Sequence, residues 1–309
     1  MKTIEQYKEV VIAIDHGNGN IKTTDDVFRA GVEEVMGEAI ASRNILSYKG
    51  KQYVIGESHI TFAEGKVQDE NYFILTLYGI GSVLEKKGYT SANIVLSVGI
   101  PLAWFSAQRK EFRKYLMQDT DLEFEFHSKS YHVHISDVLV FPQTLAATYN
   151  MGDMSGENMI LDIGNGTLSI LKIVDGNPVE NSIVTENYGV SFLVREIQSA
   201  VSKLAGRNVT EDRIEKILIS GTDNSENQIQ AIVSETVRKY IAEINRKLEV
   251  RGYDPSFVKL YVLGGGACIF ENFGEVASRE NIYINKDICA NAKGYEYFAY
   301  KAMDARKKA

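Results

Sequence analysis

Two stretches of the chain read Asp-x-Gly-Asn-Gly, one at Asp15–Gly19 and one at Asp162–Gly166. Each follows a short apolar run, Val10–Ile14 or Met159–Leu161, of the length and β-branched content expected of a buried strand. Asn and Gly tolerate positive φ, so Asn18-Gly19 and Asn165-Gly166 predict tight two-residue hairpin turns. Backbone N–H groups exposed by such a turn form an anion nest. Two facing nests suit the β- and γ-phosphates of a nucleoside triphosphate. A carboxylate at each strand end, Asp15 and Asp162, suits Mg²⁺, which keeps most of its waters and is held by few protein groups. Lys22, seven residues after Asp15, can reach back to neutralise phosphate charge.

One copy of this pattern is commonly just a hairpin. Here Ile14–Ile21 and Leu161–Leu168 share Asp, Gly, Asn and Gly in register, with Asn20 opposite Thr167 and Lys22 opposite the uncharged Ser169. Such an internal repeat, with a period near half the chain, implies two copies of one strand-rich fold. The first candidate loop is therefore Gly17, Asn18, Gly19, Asn20 and Lys22; the second is Gly164, Asn165, Gly166 and Thr167.

A third element is Gly264-Gly265-Gly266, between the apolar run Lys259–Leu263 and a helical pattern. Three glycines let a base or sugar lie against the backbone, beside the positive end of the following helix. The alternative is an ordinary strand-to-helix turn. The dinucleotide fingerprint is not met, since its third glycine falls at Ile269, and no Gly-x-x-x-x-Gly-Lys-Ser/Thr occurs. Gln143 follows Pro142 and is expected to open a helix reaching Tyr149. Its neutral amide can orient a water without competing for a cation, although a Gln there is commonly only a cap partner.

These residues need a two-part α/β scaffold. At 309 residues the chain accommodates two ordinary domains. Its net charge of −7 argues against direct electrostatic binding of nucleic acid, so a DNA role would run through a partner. The N-terminus lacks a signal-peptide pattern, and no segment has the apolar length to span a bilayer. Cys268 and Cys289 fit no metal spacing and suggest buried thiols in a reducing cytoplasm. His132 and His134 share one strand face but lack an evident third ligand, so a solvated face is expected. His127 also reads as surface, and Trp104 as core or interface.

Periodicity predicts hairpins at Ile45–Ile55 and at Leu122–Ile135, a loop over Gly31–Ser42, and strands at Ile94–Val98 and Val138–Phe141. Helices are expected at Tyr72–Lys87, Phe105–Met117, Val190–Leu204, Glu211–Leu218 with a Thr210 cap, Gln228–Val250, and from Gly294 with aromatic residues on one side. Gly152–Gly156 is the best domain boundary. Strands joined by helical crossovers in both halves indicate α/β with mixed central sheets.

With Asp15–Lys22, Gln143, Asp162–Thr167 and Gly264–Gly266 in this order, the chain resembles the actin-like ATPases. It is most similar to the bacterial plasmid-segregation actins of the ParM type. Val98–Pro101 looks like their Gly-Leu-Pro segment, Tyr53–Glu57 like their small-subdomain hairpin, and Asn291–Gly294 like their second interdomain connector. The resemblance implies duplicated ribonuclease H-like domains around a nucleotide cleft. Residues 1–154 with 290–309 would form the first, its small subdomain at about 28–71. Residues 155–289 would form the second, its small subdomain at about 190–252.

The resemblance further implies ATP (or GTP) with Mg²⁺ as cofactors and Asp15 and Asp162 near the metal, mostly through water. Gln143 would orient the attacking water, with Asp15 and Asp162 completing the catalytic set. Gly265 and Gly266 would meet the adenosine, and the helix around Glu215-Lys216 would line the base. Asn165 stands where eukaryotic actin has an acidic residue, and His16 is an unusual neighbour for the first Asp. Implied partners are further copies of the chain in a head-to-tail filament and a DNA-binding adaptor, with no direct nucleic acid and no membrane contact. The rivals are a sugar or acetate kinase of the same superfamily, for which no base motif is found, a non-polymerising chaperone-like ATPase, and a cell-division actin.

Overall fold

The computed structural model describes residues 9–35, 44–56, 70–152, 154–221, 227–274 and 281–308. The chain divides into two compact units, Met1–Asn150 with Cys289–Ala309, and Met151–Ile288.

In the first unit, β1 (Glu9–His16) pairs antiparallel with β2 (Asn20–Lys22), and β2 with β3 (Val27–Arg29). On its other side β1 pairs in parallel with β7 (Ser91–Ile100), and β7 with β9 (Lys129–Pro142). The sheet continues through β8 (Asp121–Phe126), β5 (Ile45–Tyr48), β6 (Lys51–Ile55) and β4 (Val32–Val35). The core of β1 is buried on both faces, which is why its sequence is an unbroken apolar run. Ile12 and Ile14 pack with the helix α1 (Glu70–Lys87) on one side. Val11 and Ala13 face Ala299 and Tyr295 of the terminal helix α7 (Ala290–Lys308) on the other.

The second unit repeats this plan. Strand β10 (Glu157–Ile163) pairs antiparallel with β11 (Leu168–Val174), which pairs with β12 (Asn177–Pro178) and β13 (Val184–Glu186). In parallel, β10 pairs with β14 (Lys259–Leu263), and β14 with β15 (Ile282–Ile284). Both sheets thus begin with a hairpin and add parallel strands beyond its first arm. Helices α3 (Val190–Ala205), α4 (Glu211–Ser220) and α5 (Asn227–Val250) form the insertion between β13 and β14, and α6 (Ala267–Phe273) follows the glycine triplet. Their apolar faces join β10, β11 and β14 in one core.

Several sequence expectations need correction. Strand β4 occupies ground read as loop, because it is short and its exposed Glu33 and Glu34 hide the period; residues 36–42 lie outside the described residues. Val138–Phe141 is no separate strand but the end of β9, which passes a register irregularity beside Ile94 and Val95 and continues along β7. Pro142 closes that strand, and Gln143–Tyr149 makes turns and a single 3-10 turn at Ala146–Thr148, with Thr144 at φ 68°. Thr210 stands at the N-cap of α4 but its hydroxyl makes no cap bond. The aromatic residues of α7 are not all on one side: Tyr295 is buried, Tyr297 and Tyr300 exposed. Cys289 is buried but Cys268 only partly so. Among the described residues no helix is long and apolar enough to cross a membrane.

The short β5–β6 turn matches its sequence. Lys49 and Gly50 both take positive φ, 49° and 77°, as a two-residue loop requires. His132 and His134 stand on the solvated face of the β8–β9 hairpin beside Glu123 and Asp121.

Candidate functional site

In the first unit the chemistry collects at the carboxyl ends of β1, β7 and β9. Asp15 is the penultimate residue of β1 and is only 2% exposed. Directly across the hairpin stands Lys22, whose Nζ donates to Asp15 Oδ2 at 3.2 Å. The other carboxylate oxygen accepts from Gln143 Nε2 at 2.8 Å. A buried carboxylate is costly without such partners, and here one cationic and one neutral donor supply them.

Gln143 reaches Asp15 because its turn is fixed from three sides. Its own N–H donates to Ile100 O at the end of β7, and the N–H of Thr144 donates to Asn291 Oδ1 in the first turn of α7. Gly294 completes the fit: a Cβ there would lie 2.0 Å from Ala146 O, so only glycine lets α7 settle on this turn. Gln143 was legible in the sequence, but Asn291 as its support was not.

The Gly17–Gly19 loop lacks the positive φ expected of it, since neither Asn18 nor Gly19 adopts that conformation. The need for glycine at 17 is steric: a Cβ would sit 2.5 Å from Asn20 O. Gly17 N–H donates back to Asp15 O at 3.0 Å. From behind, α1 supports the loop through Tyr72, whose hydroxyl donates to Asn18 Oδ1 at 3.2 Å. One turn further, Thr76 meets the fully buried His16 at 2.8 Å, and the His16 ring packs edge-on against Tyr72 and Phe112. His16 is therefore a core residue that ties β1 to α1 and α2 (Phe105–Leu116). Tyr72 and Thr76 were visible in the sequence only as part of a helical apolar pattern.

In the second unit Asp162 pairs across its hairpin with Ser169, the position in register with Lys22. Ser169 turns instead to Thr185 at 3.0 Å. Again the turn at Asn165-Gly166 lacks positive φ. It is set by α3, whose Val190 and Ser191 N–H groups donate to Gly164 O and Asn165 O at 3.0 and 2.9 Å. Gly189 permits this approach, because a Cβ there would fall 2.5 Å from Asn165 O. The Tyr240 hydroxyl of α5 holds Tyr188 O at 2.8 Å, just before that glycine. Burial raises the Tyr240 pKa, so it stays a donor. Gly189 was missed; its signal is a glycine directly before an apolar helical run.

The three glycines after β14 have different tasks. Gly264 has φ 86°, and a Cβ on it would lie 2.5 Å from Asp162 Oδ1 and from Ile163 O. The buried Gly266 donates its N–H to Ile163 O at 2.9 Å, and a Cβ would strike Ile163 Cγ2. Gly265 is exposed and has open space where its side chain would be. The triplet is thus clamped to the Asp162 strand at both ends and presents bare backbone in its middle. Glu215 and Lys216 lie on α4, half-buried and exposed. That helix packs on α6, and Asn272 Nδ2 of α6 donates to Leu218 O and Ile219 O.

Comparison with known proteins bears on the fold. Residues 13–145, spanning Asp15 through Gln143, match the family model "Actin like proteins N terminal domain". No curated protein sequence matches the chain. Among solved structures, a 15-stranded ParM filament from Clostridium botulinum is 18% identical with TM-score 0.75, covering 95% of this chain and 99% of its own. An archaeal actin homolog in complex with ADP is 19% identical with TM-score 0.74, covering 94% and 99%. Bacillus thuringiensis ParM with ATP is 13% identical with TM-score 0.69, covering 94% and 98%. The chain accordingly has the actin-like fold, and residues 13–145 are similar to the N-terminal domain of actin-like proteins.

Proposed function

We propose that this chain binds and hydrolyses ATP (or GTP) with Mg²⁺ and forms nucleotide-dependent filaments in the cytoplasm. By this reading a DNA-binding adaptor links the filament to a plasmid or other DNA to be segregated. The observation that carries the proposal is the repeated strand-end carboxylate with its glycine loop, joined in the first unit by Gln143.

The loop at Gly17–Asn20 and that at Gly164–Thr167 take the phosphates. Lys22 supplies the single charge of the first loop, within reach of phosphate from its place beside Asp15. Both oxygens of Asp15 already accept from Gln143 and Lys22, a donor set that fits a carboxylate ordering the waters of Mg²⁺ rather than binding the ion directly. Asp162 has the equivalent place in the second unit. When bound, Mg²⁺ neutralises phosphate charge. Gln143, with its amide nitrogen held by Asp15, has its carbonyl oxygen left to accept from a water and orient it. Gly265 offers backbone to the adenosine, and the buried Gly266 shapes that turn from beneath. Glu215 and Lys216 line the base from α4.

Support for assembly comes from the relatives: one similar chain is described as a filament, and others as bound to ADP or ATP. Pelleting or light scattering with ATP, ADP and a non-hydrolysable analogue tests the reading. Assembly with ATP and decay after hydrolysis are expected. No nucleotide-dependent assembly at high protein concentration would refute the filament, and no nucleotide binding would refute the site.

A further inference from the structure

At the opposite end of β1 from Asp15, the first unit carries a shallow depression whose wall includes Glu9, Arg113, Ser136, Asp137, Arg306 and Lys307. Its centre is built. Ser136 sits at the irregularity between β7 and β9, with its hydroxyl on Ile94 O at 2.9 Å. Next to it, Asp137 accepts from Arg113 of α2 at 2.8 Å and from Arg306 of α7 at 2.7 Å. One carboxylate thereby draws two basic helix faces together. Helix α2 has four exposed cations against Glu111 alone, and α7 ends Arg306-Lys307-Lys308 with Asp304 the nearest acid along the helix.

This face is anomalous in an acidic chain. The first unit holds 20 Lys and Arg against 21 Asp and Glu, a net of −1. The second holds 14 against 20, a net of −6. A basic face on a near-neutral unit and a net of −6 on the other make a charge asymmetry of the kind that a heterologous contact between copies uses, for steering and for register. Nucleic acid is the less suitable occupant, because Glu9, Glu111, Asp137 and Asp304 interrupt the cations and would meet phosphate at close range.

We infer that the α2–α7 basic face of the first unit is an assembly surface, and that it receives the acidic second unit of another copy of this chain. The inference rests on the filament reading above and assigns its contact.

The test uses the full chain and Lys110→Glu/Lys114→Glu/Lys307→Glu, three exposed positions outside the nucleotide loops. Thermal melting and binding of a fluorescent ATP analogue should match the parent. In ATP-dependent pelleting, the critical concentration of the variant should rise about tenfold or more, and that of the parent should rise between roughly 0.05 and 0.3 M salt. Carbodiimide cross-links formed in assembled parent protein should join these lysines to Asp or Glu within residues 151–288. If the parent assembles and the variant does so equally, or if the cross-links stay within the first unit, this assignment falls and the filament reading stands. Binding of a labelled DNA duplex that the variant loses would overturn it in favour of nucleic acid. A parent that never assembles removes both.

Discussion

Gln143 and Asp15 are 128 residues apart in the chain and joined by a 2.8 Å hydrogen bond from the Gln143 amide to Asp15 Oδ1. The bond orients the amide as well as the acid. With nitrogen toward Asp15, the Gln143 oxygen is the atom left for a water. Gln143→Ala is expected to lower the rate of phosphate release by about 10²-fold while leaving nucleotide affinity within a few-fold. Single-turnover phosphate release set beside equilibrium binding checks this. An equal loss in both would make Gln143 a binding residue only. Asp162→Ala should abolish hydrolysis, and unchanged turnover would refute the assigned second site.

Tyr72 supports the first loop from α1 through one neutral hydrogen bond to Asn18. Tyr72→Phe keeps the buried ring and deletes only the hydroxyl. The expected cost is about 1 kcal/mol, seen as a roughly fivefold weaker nucleotide affinity with little change in stability. Titration calorimetry against a melting curve separates the two effects. A large drop in melting temperature with unchanged affinity would place the role of Tyr72 in the core instead.

The glycine triplet gives a contrast within three residues. A methyl at 266 meets Ile163 Cγ2 inside contact distance, so Gly266→Ala should destabilise the second unit by about 1–3 kcal/mol. Gly265→Ala meets nothing within 4 Å and should fold normally, yet it should weaken nucleotide binding. Denaturation and nucleotide titration of both variants decide this. Normal binding by Gly265→Ala would exclude a base or sugar lying against that backbone.

Asp137 links stability to pH. Burial by itself raises its pKa, but the hydrogen bonds from Arg306 and Arg113 outweigh that, and the net shift is below the ordinary 3.8. A carboxyl with a lowered folded-state pKa stabilises the fold above its unfolded pKa, and the contribution is lost as pH falls through the lowered value. Asp137→Asn should therefore be less stable than the parent at neutral pH, with the gap closing as the pH drops below about 3.8. Melting curves across that range measure it; a gap independent of pH would assign the loss to packing.

The sequence by itself determined the repeat. Asp15 and Asp162 end buried strands, Lys22 and Ser169 stand in matching places, and these relations survive in the strand registers because a β-hairpin is local and its register follows from loop length. Most helices were legible for the same reason, since their apolar spacing is written within one turn. Tertiary structure decided what holds the loops. Asn18-Gly19 and Asn165-Gly166 read as positive-φ turns, but the glycines that matter are Gly17, required by Asn20 O within its own hairpin, and Gly189, required by the Gly164–Asn165 backbone that approaches from elsewhere. Tyr72 on Asn18, Asn291 on the Gln143 turn and the Asp137–Arg306 pair join residues 54, 147 and 169 positions apart. No local pattern encodes such pairs. They exist because two faces of one sheet are covered by helices from distant parts of the chain, and the side chains at those contacts must satisfy each other's polar groups once water is excluded.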